Sequence, residues 1–225
     1  MSLGAAHGSA RHSKRPATQL GDHWTWRPEW RVDRPHLMWY LPCGHDSSLH
    51  AWLHGAREHL RGEDGVDVVP DEWLHCTLDD VGFVDELPAE QVDDVALAGR
   101  EALRGWTVPD VALGPAEPMR DALVLRADPV RQLTGLRDTL RAATVSVLGD
   151  RALPPLERFE PHVTFAYANR PLDAAPLMAR LQGLVRRPVH VSPPTVTLVA
   201  VTRRSHHYQW TTRSRVTGGQ PAGRR

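Results

Sequence analysis

Apolar and polar positions along the chain keep two rhythms, and they change places several times. Residues 36–41 are an apolar run of strand length, closed by Pro42-Cys43-Gly44. Asp46 or Ser47 then caps a helix whose apolar stripe is Leu49, Trp52, Leu53, Ala56 and Leu60. The period drops to two where Leu74, Cys76 and Leu78 alternate with His75, Thr77 and Asp79, in a strand that ends at Val81-Gly82-Phe83. Val92, Val95, Ala96, Gly99 and Leu103 predict a second helix. Residues 106–113 and 122–126 predict two strands joined by a turn around Gly114-Pro115 and Pro118. Val130, Leu133, Leu136 and Leu140 mark a third helix, and a connection through Pro154-Pro155 leads to a second strand of period two, where Val163, Phe165 and Tyr167 alternate with His162, Thr164 and Ala166. Asp173 caps a short helix carrying Leu177, Met178, Leu181 and Leu184, and strand-like runs follow at residues 188–191, 196–202 and 206–213.

Each half thus runs strand, helix, alternating strand, helix, a duplication of architecture and not a short tandem repeat. Helices mixed with mostly antiparallel strands predict an α+β fold: two lobes, each with its own sheet, facing a central groove with helices on the outer faces. Residues 21–216 form this one bilobal domain in the prediction. Residues 1–20 and 217–225 lack apolar period and are expected to be disordered tails. Between tail and first strand lies a lead-in segment with Trp24, Trp26 and Trp30, either a base-stacking platform or packing against the first lobe.

The 27 basic and 27 acidic residues balance, so no global field draws the chain to nucleic acid or to an anionic membrane, and any RNA contact is local. Two cysteines, Cys43 and Cys76, are too few for a disulfide framework. No apolar stretch approaches membrane-spanning length and no signal-peptide block opens the chain, so a cytoplasmic address and a monomer with no protein partner are the expectations. His50 and His54 stand at metal-ligand spacing on the predicted first helix, but no nearby carboxylate completes a set, and no metal or cofactor is expected.

His-x-Ser/Thr occurs also at His7, His23, His45 and His190, so the bare pattern says little. Context separates two copies. His75-Cys76-Thr77-Leu78 and His162-Val163-Thr164-Phe165 both sit in alternating strands, which puts each His and its Thr on one face. His23 precedes any recognisable core element. Two such strands side by side aim two imidazoles and two hydroxyls at one small anion. Imidazole titrates near neutrality, so one ring can serve as base and the other as acid, while the hydroxyls donate to non-bridging phosphate oxygens. This equipment suits metal-free opening of a strained 2′,3′-cyclic phosphate.

With these motifs, the Val81-Gly82-Phe83 that follows the first and the Pro161 that precedes the second, the chain resembles the two-histidine phosphoesterase superfamily, and within it the bacterial 2′-5′ RNA ligase and RNA 2′,3′-cyclic phosphodiesterase branch. The resemblance runs from about Trp24 to Val216. It implies a pseudo-two-fold bilobal fold, His75, Thr77, His162 and Thr164 as the catalytic quartet with His162 as base and His75 as acid, and RNA 3′ ends or small cyclic nucleotides as substrates, hydrolysed to 2′-phosphates or joined in reverse through a 2′-5′ linkage. A module of the same fold that binds RNA ends or nucleotides without turnover is the alternative. One departure stands out: many members carry an Arg shortly after the second Thr, and here Phe165-Ala166-Tyr167 fills that stretch, with Arg170 the nearest. Tyr167, Arg203, Arg204, Tyr208 and Trp210 are the candidate substrate-binding residues, the two last as base-stacking aromatics or as packing.

Overall fold

The computed structural model describes residues 18–25, 30–31, 33–149, 153, 158–184, 188–192, 195–204 and 206–216. Trp26, His7, Pro154, Pro155 and both predicted tails, apart from residues 18–20, lie outside these residues. The strands are β1 (Gln19–Leu20), β2 (His36–Pro42), β3 (Val66–Val68), β4 (His75–Phe83), β5 (Val111–Met119), β6 (Ala122–Asp128), β7 (His162–Ala168), β8 (Leu172–Asp173), β9 (Val189–Val191), β10 (Val196–Arg204) and β11 (His207–Val216). The helices are α1 (Ser47–Leu60), α2 (Ala89–Ala102), α3 (Val130–Leu148) and α4 (Ala174–Arg180). Asp46 caps α1 by accepting from the Ser48 and Leu49 amides, and Asp173 caps α4 from the Ala175 amide.

The α+β architecture is a curled antiparallel sheet in the order β11-β10-β2-β4-β7-β6-β5-β9, with β3 also on β7 and a small β1-β8 sheet beside it. The first lobe is β11-β10-β2-β4 and the second is β7-β6-β5-β9. The two sheets of the prediction touch at one point, the Cys76–Val163 pair. Each motif strand therefore stands at the inner edge of its lobe, and the histidines occupy the positions next to the junction.

Helices cover the outer faces in a crossed pattern. α1 follows β2 of the first lobe but packs on the second, where Trp52 meets Phe165 edge-on at 5.0 Å and its indole donates to the Leu184 carbonyl at 3.1 Å. α3 follows β6 of the second lobe but packs on the first, with Thr144 beneath the Trp39 indole and Arg141 on the buried Asp79 at 3.1 Å. α2 and α4 stay with their own lobes, on β11 and β5. One continuous apolar core results, with a small cluster of Tyr40, Val199 and Val201 on the opposite face of the first sheet.

The strand–turn–strand read across residues 106–126 is displaced. Gly114-Pro115 and Pro118 lie inside β5, at an irregularity between Leu113 and Ala116, and the turn is Arg120-Asp121. β9 covers β5 only at residues 111–113. Beyond that point β5 is an edge, where prolines lose no ladder hydrogen bond. The ordered chain also begins before residue 21: Gln19–Leu20 pair with Leu172–Asp173, and Leu20 is buried.

Alternation breaks in each motif strand directly after the Thr, and in β4 a second time, between Leu37–Gly82 and Met38–Asp80. In β4 the pairing slips between Trp39–Asp79 and Tyr40–Thr77, and in β7 between Leu123–Ala166 and Val124–Thr164. A bulge exchanges the faces of all residues beyond it. Asp79 therefore turns outward to Arg141, not to the face of His75 and Thr77, and Tyr167 joins the face of His162 and Thr164, not that of Val163 and Phe165.

Candidate active site

His75, Thr77, His162 and Thr164 line one open groove between the lobes, with a cavity volume of about 220 Å³. Both imidazoles are fixed the same way. His75 Nδ1 lies 2.8 Å from the Trp73 carbonyl and His162 Nδ1 2.7 Å from the Glu160 carbonyl, in each case two residues upstream. A carbonyl only accepts, so Nδ1 is the protonated nitrogen of each neutral ring, and Nε2 is the nitrogen with the lone pair.

The surroundings differ. His75 stacks on Tyr40 with centroids 3.9 Å apart and meets Trp210 edge-on at 5.1 Å. Burial pulls its pKa down to about 4, opposed by the bond to the Trp73 carbonyl and reinforced by His162. His162 is also lowered, first by burial; the Glu160 carbonyl opposes this, and the charges of Arg126 and Arg120 add to it. Both rings are neutral at neutral pH.

Each threonine has a tyrosine partner. The Tyr40 hydroxyl shares a hydrogen bond with Thr77, and the Tyr167 hydroxyl shares one with Thr164. Burial raises both phenols far above neutrality, so they remain O–H donors. The Tyr40 hydroxyl also donates to Met38 Sδ at 3.4 Å.

Gly44 ties this site to the turn beneath it. A Cβ there would overlap the Asp71 carbonyl, in the 3-10 turn Asp71–Trp73 that presents the Trp73 carbonyl to His75. Gly44→Ala is expected to cost about 1–3 kcal/mol, as overpacking does, and to lower activity by disturbing His75; urea unfolding and turnover measured on the same variant check both.

Of the other predicted binding residues, Tyr167 and Tyr208 line the groove. Trp210 instead backs His75, Tyr40 and Trp73. Arg203 and Arg204 are not among the lining residues: the Arg203 guanidinium donates to the His23 carbonyl at 2.8 Å and lies over Trp24, and Arg204 is exposed. Trp24 packs on Tyr167 and donates to Asp67 of β3 on one side, and stacks on His206 and meets Tyr208 of β11 on the other, so it packs against both lobes, while Trp30 reaches the groove wall. His50 contacts the Gly44 carbonyl, and among the described residues no group of three or more His, Cys, Asp or Glu could hold a metal ion. Burial pushes the Cys76 thiol up to about 12, leaving it a small buried side chain.

Sequence reading missed His23, Tyr40, Arg120 and Asp121 in the groove wall. The His23 ring stacks on Tyr167 at 4.1 Å, with Nδ1 3.0 Å from the Asp121 carboxylate and Nε2 2.9 Å from the Tyr208 hydroxyl. Its His-x-Thr signal was present but lacked a strand around it. Arg120 and Asp121 were hidden because the turn was placed elsewhere.

This paired arrangement on a crossed bilobal fold has known counterparts, and residues 46–206 match the 2′-5′ RNA ligase superfamily. The chain belongs to that superfamily. Members are two-histidine phosphoesterases, which makes this chain an enzyme of phosphoesterase or ligase type. Similar solved folds include TT0787 of Thermus thermophilus, 20% identical over 82% of this chain and 100% of that one at a TM-score of 0.62. E. coli LigT complexed with 3′-AMP is 17% identical over 84% and 100%, at 0.61. No curated protein matches the chain in sequence. The lead-in segment, β1, β2 and β11 lie outside the stretch that matches the superfamily. Among the described residues no helix is long and apolar enough to cross a membrane.

Proposed function

We propose that this 2′-5′ RNA ligase superfamily member hydrolyses RNA-type 2′,3′-cyclic phosphates to 2′-phosphates, without a metal, by acid–base catalysis between His162 and His75, and that an RNA 5′-hydroxyl attacking the same phosphorus in place of water joins RNA ends through a 2′-5′ linkage. The observation that carries this reading is the matched pair of Nδ1–carbonyl bonds, which turns two Nε2 atoms toward one groove beside two threonine hydroxyls. That E. coli LigT was crystallised with 3′-AMP adds support, since it is a nucleotide complexed with a protein of similar fold.

The charges sort the roles. Arg126 and Arg120 disfavour a proton on His162, which suits it as the base that takes a proton from water. Among the described residues no Arg or Lys charge acts on His75 as Arg126 and Arg120 act on His162, so the bound phosphodiester anion raises its pKa and brings a proton to its Nε2. Water oxygen then bonds to phosphorus, the P–O3′ bond breaks, and His75 delivers its proton to O3′. Thr77 and Thr164 hydroxyls donate to the non-bridging oxygens as charge builds there.

The test is hydrolysis of a panel of nucleoside 2′,3′-cyclic phosphates in excess chelator. Turnover to the 2′-phosphate, undiminished by chelator, is expected. Chelator-sensitive turnover, or none by folded protein that still binds nucleotide, would overturn the reading, the latter in favour of a binding module.

A further inference from the structure

The missing arginine after the second motif leaves the groove short of a phosphate anchor, and a different element supplies a candidate. Arg120 is the one Arg or Lys among the described residues lining the groove. It stands in the two-residue turn between β5 and β6, paired at Met119–Ala122, with φ of 55°. Glycine or asparagine suits that left-handed conformation better than a long side chain. The other arginines nearby do not line it. Arg126 is ion-paired with Glu117 and Glu160, Arg170 donates to the Asp64 carbonyl, and Arg203 to the His23 carbonyl.

The turn is clamped by the lead-in segment. The Gly21 amide donates to the Arg120 carbonyl at 3.0 Å, the Ala168 amide donates to the Asp121 carbonyl at 2.9 Å, and the Asp121 carboxylate lies against His23 Nδ1. His23 is itself held by Tyr208 and by its stack on Tyr167.

Building on the phosphoesterase reading above, we infer that Arg120 binds a non-bridging oxygen of the substrate phosphate, in place of the arginine that many members carry after the second motif, and that His23 is a positioning residue that holds the Arg120 turn. The guanidinium fork matches a phosphate edge, and its charge already bears on His162, beside which the phosphate would sit.

The experiment compares wild type with Arg120→Ala, Arg120→Lys, Arg120→Gly, His23→Ala and the double Arg120→Ala/His23→Ala. The readouts are KM and kcat on a nucleoside 2′,3′-cyclic phosphate, calorimetric Kd for a nucleoside 2′-monophosphate and for inorganic phosphate, and Tm. Losing a charge-assisted hydrogen bond raises KM and Kd by about 10- to 100-fold in Arg120→Ala, with partial rescue by Lys. Arg120→Gly loses the same affinity without a fall in Tm, because glycine suits the turn. His23→Ala weakens binding less, and the double variant binds no worse than Arg120→Ala, since His23 acts through Arg120. Unchanged KM and Kd in Arg120→Ala, with wild type active, overturn the inference, and additive losses in the double variant overturn the His23 role. If wild type turns over no cyclic phosphate, the reaction reading fails instead, and the calorimetric arm still decides whether Arg120 binds phosphate.

Discussion

His162→Asn is expected to lower kcat on a nucleoside 2′,3′-cyclic phosphate by about 10²- to 10⁴-fold, and His75→Asn to do likewise, the range that a positioned acid or base contributes. Asparagine is the informative replacement because its amide can still donate to the carbonyl two residues upstream, at Glu160 or Trp73, while nothing replaces Nε2. The local structure is kept and the proton carrier is lost. Base and acid act in one displacement, so the double variant should fall little below the worse single one. Thr77→Val and Thr164→Val should cost less, about 10- to 100-fold, as removal of one hydrogen bond to a developing oxyanion does. Steady-state rates, with circular dichroism to show folded protein, are the measurement. A His162→Asn variant within threefold of wild type would remove the imidazole pair from the mechanism.

The second large effect is on stability and concerns acid. His75 has its pKa held at about 4 in the folded protein, against about 6.5 in an unfolded chain. Between these values the unfolded state binds the proton and the folded state does not. Stability from His75 is therefore complete above about pH 6.5, is lost progressively as pH falls, and is gone by about pH 4. The total is up to about 3 kcal/mol, and His162, also lowered, adds in the same direction. Asp79, whose burial raises its pKa, contributes with the opposite sign, and comparison with His75→Asn cancels it. Urea unfolding at pH 7.0 and 5.0 should show wild type losing more stability on acidification than His75→Asn. Equal losses would mean that the His75 ring is solvated in the folded state. The same shift predicts that kcat/KM, which reports the free enzyme, falls as pH rises through neutrality.

The apolar rhythm placed α1 to α4 and both motif strands, because α1, α2 and α3 each bury one face and the motif strands keep strict alternation as far as the Thr. It failed where geometry departs from period. The bulges at Leu78 and Phe165 cannot be seen in a pattern of apolar positions, so the outward turn of Asp79 and the inward turn of Tyr167 had no signal. Proline reads as a turn former, and Pro115 and Pro118 misled because the edge status of that part of β5 depends on where short β9 ends. The motif residues were legible since their chemistry repeats. Arg120, His23 and Tyr40 reach the groove through tertiary placement, from a turn, a lead-in and a neighbouring strand.

The crossing of α1 and α3 bears on how such a chain can be divided. A polypeptide of half this length, strand, helix, motif strand and helix, would send its first helix away from its own sheet and leave that sheet partly bare. Two copies could each bury the other's sheet only by exchanging those helices, as a domain-swapped dimer. Such a dimer would carry one histidine motif per subunit and assemble a complete pair only at its dyad, so the joined chain holds as one molecule what two halves would have to find by association.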